Sequence, residues 1–176
     1  MNCGKVALFI LMPVVVLVLT GCGQGFRNGV AHKAQDDTVC LKRSDLKLIA
    51  AALNSDTATM EAAIRSGADV NVAIEGLGPS IVVASVGDNY SGVQLLLDRG
   101  ANINAEDSEG HTALISASLG NSPAMVRLLL SKGANVNAPS NLMVKGKKAG
   151  FTPLMIAKGK GHQEIVKLLT EAGAKE

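Results

Sequence analysis

The feature that most constrains this chain is a short word that returns at a fixed interval. Ser66-Gly67-Ala68-Asp69-Val70-Asn71 recurs as Arg99-Gly100-Ala101-Asn102-Ile103-Asn104 and as Lys132-Gly133-Ala134-Asn135-Val136-Asn137, a period of 33 residues. A fourth copy opens at Ala172-Gly173-Ala174, 40 residues after the third. An apolar helical pattern precedes each copy: Met60-Glu61-Ala62-Ala63-Ile64, Val93-Gln94-Leu95-Leu96-Leu97, Val126-Arg127-Leu128-Leu129-Leu130 and Ile165-Val166-Lys167-Leu168-Leu169. Further upstream stand Gly110-His111-Thr112-Ala113-Leu114 and Gly150-Phe151-Thr152-Pro153-Leu154. A period of this length makes each copy one small unit that cannot bury its own apolar face, so the copies must stack.

The period and its words resemble the ankyrin repeat over about 130 of the 176 residues. The resemblance implies an all-α repeat solenoid of about four helix-turn-helix repeats with β-hairpin loops, at about 44–76, 77–109, 110–149 and 150–176. Within it each residue type has a physical task. Thr152 can cap a first helix while Pro153 takes its first position, where a missing N–H costs nothing. Ala51, Ala84, Ala117 and Ala157 let neighbouring helices approach. Gly67, Gly100, Gly133 and Gly173 suit left-handed positions after the second helices. The ends of the array are altered: repeat one lacks the Thr-Pro-Leu word, and Thr170 stands where Ile64, Leu97 and Leu130 stand earlier. In repeat two Gly78-Pro79-Ser80-Ile81 replaces the capping word, which makes its first helix the least secure.

The N-terminus reads as a targeting segment. After Lys5 an apolar run from Val6 to Leu19 contains Pro13. As a helix it would reach about 21 Å, short of the roughly 30 Å of a bilayer core. It fits the apolar region of a secretory signal. Leu19-Thr20-Gly21-Cys22 follows and resembles the bacterial lipobox, which implies removal of residues 1–21 and lipid on the Cys22 sulfur. Gly23 after it, in place of Asp, implies sorting to the outer membrane with the domain facing the periplasm. A plain signal peptide or an uncleaved anchor is the alternative. Residues 22–43 read as a flexible tether, placing the 44–176 domain about 25 Å from the lipid on average. Of three cysteines, Cys3 leaves with the signal and Cys22 carries lipid. Cys40 then has no internal disulfide partner and reads as a shielded structural thiol, with an intermolecular bridge as the alternative.

Chemistry is scarce along the chain. Aromatics are 2% of the residues, so the core must be built from Leu, Ile, Val, Met and Ala. The formal charge is +2, too near neutral for a nucleic-acid surface to be the first reading. No phosphate loop, nucleophile elbow, dinucleotide fingerprint or metal-ligand spacing occurs, so no enzyme, metal or cofactor is expected. His111 is read at a variable, exposed position. His162 reads as a structural hydrogen bonder in a Gly-His turn, and Ser85, Ser116 and Ser118 as small packing residues.

The resemblance therefore points to a binding module whose partner is another protein. Ankyrin proteins generally bind through their hairpin tips and the exposed side of the first helices. Here one tip is acidic, with Glu106, Asp107 and Glu109. The next carries the seven extra residues and displays Leu142, Met143, Lys145, Lys147 and Lys148. These two tips are the candidate partner surface, although a long insertion is also tolerated when it binds nothing. Val83, Ser116 and Met155 on the first helices are the next candidates. Short ankyrin-repeat lipoproteins of this kind are similar to immunity proteins encoded beside lipase effectors of type VI secretion. A periplasmic scaffold that protects or positions an envelope enzyme is the second reading. Cys22→Ala is expected to move the protein out of the membrane fraction, since one acyl chain binds marginally whereas several anchor stably. Palmitate labelling that persists in this variant counts against lipidation at Cys22.

Overall fold

A computed structural model of the protein describes residues 41–141, 143–144, 147–148 and 150–175. The signal segment, Cys22 and Cys40 lie outside the described residues. Repeat one consists of α1 (Arg43–Leu53) and α2 (Thr57–Arg65). Strands β1 (Ala73–Ile74) and β2 (Gly78–Pro79) lead into α3 (Ser80–Val86) and α4 (Tyr90–Asp98) of repeat two. Repeat three is α5 (Ala113–Leu119) and α6 (Pro123–Ser131). Strands β3 (Met143–Val144) and β4 (Lys147–Lys148) precede α7 (Pro153–Lys160) and α8 (Gln163–Glu171) of repeat four. The first helices pack in the order α1, α3, α5, α7, and the second helices in the order α2, α4, α6, α8. The result is the two-layer all-α solenoid that the period demands.

The core runs between the layers and is aliphatic, as the composition requires. Leu48, Ile49, Met60, Ile81, Leu96, Leu114, Ile115, Met125, Leu129, Ile165 and Leu169 are fully buried. Ala51, Ala84, Ala117 and Ala157 are buried at matching places on the four first helices. Thr112 and Thr152 cap α5 and α7, each accepting a backbone N–H three residues on at 3.3 Å, with Pro153 at the start of α7. Ser85 and Ser118 are buried and donate to carbonyls one turn back, so they pack and satisfy themselves.

Repeat two corrects the expectation of an insecure first helix. Helix α3 has seven residues, as many as α5, and Ser80 to Ser85 are all buried. It has no side-chain cap. Instead the Ser80 N–H donates to the Val72 carbonyl at 2.9 Å and the Ser80 hydroxyl to the Val70 carbonyl, so the helix start is tied to the preceding loop.

The turn between the two helices of each repeat needs a left-handed residue. Gly161 supplies it in repeat four, at φ 76°, but Ser55, Asp88 and Asn121 hold the same place at φ 52–56°. Asp and Asn tolerate this region because their short polar side chains bond locally. The next residue starts the second helix: Asp56 accepts the Thr59 N–H and Asn89 the Gly92 N–H. His162 at that place instead donates through Nδ1 to the Ser118 carbonyl of the previous repeat at 3.0 Å. It is the structural hydrogen bonder expected of it.

A ladder of carboxamides joins the loops that follow the second helices. Asn71 Oδ1 accepts the Asn102 N–H at 2.7 Å, Asn104 Oδ1 the Asn135 N–H at 2.8 Å, and Asn137 Oδ1 the Lys175 N–H at 2.8 Å. The first rung has no preceding repeat to supply an asparagine. Asp45, buried in α1, takes its place: one oxygen accepts the Asp69 N–H at 2.9 Å and the other the Lys42 N–H at 3.0 Å. On the outer layer Glu61–Arg99, Asp98–Lys132 and Glu164–Arg127 pair across successive repeats, each at 3.2 Å. These pairs are open to solvent, so screening leaves them small contributors.

The glycines after the second helices are left-handed, at φ 85–87° for Gly67, Gly100, Gly133 and Gly173. A Cβ at Gly133 meets nothing within 4 Å, so the position tests backbone conformation without a clash. Gly133→Val is expected to destabilise the array by about 1–3 kcal/mol, and Gly133→Asn by clearly less. Thermal unfolding of the two variants measures the difference.

Candidate partner-binding face

The acidic tip is built around Asp107. Its Oδ1 accepts the Glu109 N–H at 2.9 Å and the His111 N–H at 2.8 Å, while its own N–H donates to the His111 carbonyl. Asp107 thus frames the tip, and its carboxylate is largely committed inside it. Glu106 and Glu109 are exposed and supply the outward negative charge. The imidazole of His111 is not exposed as expected. Its side chain is 14% accessible, with Nδ1 3.4 Å from Asp107 Oδ2 and 3.6 Å from Glu109 Oε2. The ring thus lies against the carboxylates of its own tip, and its Nε2 is buried without a hydrogen-bond partner.

The insertion emerges beside this tip. Asn141 donates its N–H to the Glu109 carbonyl at 2.8 Å, and Ser140 to the Phe151 carbonyl at 3.0 Å. Beyond it the backbone of Met143 and Val144 pairs antiparallel with Lys148 and Lys147, so the insertion is a hairpin. Leu142 and Lys145 lie outside the described residues. Glycines set the tips edge to edge. A Cβ on Gly78 would stand 2.8 Å from the Asp107 Cβ, and one on Gly110 would stand 2.5 Å from the Asn141 backbone nitrogen. The β1–β2 hairpin, the acidic tip and the base of the insertion are therefore neighbours.

The first helices offer less surface than expected. Val83 and Ser116 are buried, because that side of a first helix packs on the preceding repeat. Met155 is 45% exposed, at the place where Ile49, Val82 and Ile115 are buried under the following repeat. What the inner layer does expose is a strip at its far end, away from the tips. Leu53, Val86 and Leu119 are 37%, 70% and 39% exposed, and each is the last residue of its first helix. Sequence reasoning missed them, although the signal was there: three aliphatic residues at the 33-residue period, just before the turn.

The shifted carboxylates belong to a helix cap and to surface pairs. The Thr59 hydroxyl and N–H hold the Asp56 carboxyl below its usual range, Arg65 and then Arg99 do so for Glu61, and Gln94 and then Lys132 for Asp98. An open cleft of about 320 Å³ at the outer end of repeat one is lined by Arg43, Ser44, Lys47 and Ser66, a set without carboxylate or imidazole. Among the described residues no group of His, Cys, Asp and Glu is placed to hold a metal ion, and no helix is long and apolar enough to cross a membrane.

Stacked helix pairs, projecting tips and an exposed inner strip define a repeat solenoid that presents an extended face. The family models agree: that for ankyrin repeats in three copies matches residues 48–140, and that for a single ankyrin repeat matches residues 149–175. The chain belongs to the ankyrin-repeat family, whose members are protein-interaction scaffolds. No curated protein matches it.

Gly110 joins the two tips most directly, being left-handed at φ 73° and in contact with Asn141. Gly110→Ala is expected to push the base of the insertion away and break the Asn141–Glu109 hydrogen bond, at a cost of about 1–3 kcal/mol. Faster hydrogen exchange at the Asn141 amide, with protection in α1 and α2 unchanged, is the readout.

Proposed function

We propose that this chain is a lipid-anchored periplasmic immunity protein that binds and neutralises a toxic lipase-type effector of type VI secretion. The observation that carries the reading is the junction of two unlike tips. Exposed Glu106 and Glu109 stand beside the base of an insertion whose sequence carries Lys145, Lys147 and Lys148, and the Asn141 N–H bonds to the Glu109 carbonyl there. Adjacent charges of opposite sign orient a partner and speed its encounter. The fold supports capture of a protein, and the lipobox-like Leu19-Thr20-Gly21-Cys22 supports placing that capture at the outer membrane, where a lipase effector meets its substrate. Leu142 and Met143 would supply the apolar centre of the contact.

The test is to look for a lipase-type effector gene beside this one and to co-express its product, exported to the periplasm, with the full-length protein. Protection of the cells is expected, with a stable complex on purification. Glu106→Lys combined with Glu109→Lys should slow association about tenfold at low salt. Absence of protection, or recovery of a housekeeping envelope enzyme as the sole bound protein, overturns the immunity reading.

A further inference from the structure

We propose that the strip formed by Leu53, Val86 and Leu119 seats one amphipathic α-helix of the protein partner, whose apolar side chains recur every seven residues. This rests on the reading of the stack as a protein-binding module and not on which protein it binds. The three residues close the first helices of consecutive repeats, and those helices pack directly on one another. The step along the strip is therefore an interhelical one, about 8–10 Å. An α-helix returns to the same face after seven residues, a rise of about 10.5 Å, and a modest tilt brings it into step. A β-strand repeats its face every ~6.7 Å and falls out of register at once.

The surroundings favour the same occupant. Asn54, Gly87 and Gly120 follow the three aliphatic residues and are exposed, small and uncharged, so a helix can lie close. Asp88, the acidic residue of the strip, already accepts the Ser122 hydroxyl. In repeat four Gly159 takes the strip's place and exposed Lys160 follows it, giving the line a basic end. The complementary helix carries an apolar stripe that finishes on a carboxylate. A polyproline segment, stepping about 9.3 Å every three residues, is the rival geometry, but such segments dock between several aromatic side chains, and among the described residues Tyr90, 48% exposed at the start of α4, is the one largely exposed aromatic.

Random 18-residue peptides displayed on phage and panned on the detergent-solubilised full-length protein test this directly. Enriched sequences should carry Leu, Ile, Met or Phe at seven-residue spacing, with Asp or Glu at one end. Synthetic copies should lose at least tenfold in affinity on Val86→Asp and several-fold on Leu119→Ser, and be unaffected by Lys167→Glu on the outer layer. Val86 is mostly solvent-exposed, and circular dichroism verifies that its variant stays folded. Peptides with a three-residue proline period, peptides indifferent to Val86→Asp, or no enrichment at all overturn the proposal. Peptides lost on Glu109→Lys but not on Val86→Asp also overturn it, while leaving the tips as the binding surface.

Discussion

No repeat in this chain closes its own core. Met60 is fully buried only because α4 lies against α2, and Ile49, Val82 and Ile115 are buried only because another first helix follows each of them. Where that neighbour is missing the same position opens, as Met155 shows. Everything else is fitted to this dependence. The Asn71, Asn104 and Asn137 rungs tie each loop to the next, holding the tips at the spacing that the helices impose. At the first repeat Asp45 does the work of an absent asparagine. At the last described repeat, Thr170 stands where the others have an aliphatic residue and turns its hydroxyl back to the Val166 carbonyl.

The parts of this design that depend on one repeat alone were legible in the sequence. The glycines at 67, 100, 133 and 173 are left-handed, Thr152 and Pro153 start a helix, the matched alanines are buried, and Met143–Val144 pairs with Lys147–Lys148 within the insertion. What escaped were properties decided by the folded surroundings and not by the repeated word. Val83 and Ser116 are buried because of which neighbour each side of a first helix faces, and His111 folds in against the carboxylates of its own tip. Asp45 has no repeat of its kind before it, so periodicity could not assign its role. Ser55, Asp88 and Asn121 share a backbone conformation that a glycine marks only in the fourth copy.

The candidate site divides along the same line. Glu106 and Glu109 were recognisable as an exposed acidic pair, but the commitment of Asp107 to two backbone N–H groups required the folded tip. The closeness of that tip to the insertion could not be read from spacing either, since it rests on Gly110 meeting Asn141. The inner face therefore has two ends of different character. Charged tips stand at the start of the first helices, and an aliphatic strip lies at their close, about 10 Å away for a seven-residue helix. On the proposed reading, steering belongs to the first and desolvation to the second, so a single partner would use charge to arrive and apolar contact to stay.

That division has a consequence for stability, because the array is nearly one-dimensional. Repeat four rests only on repeat three among the described residues, and its free side exposes Met155. The terminal repeat of such a stack opens at lower free energy than the interior ones. The inserted hairpin feeds directly into α7, and Ser140 bonds to Phe151 at the start of that repeat. On the proposed reading, a partner held by the insertion binds a segment continuous in sequence with repeat four. By mass action its binding stabilises the docking of that repeat, most strongly where the free repeat is least secure. The lysine-bearing hairpin sits on the repeat that gains most from being held.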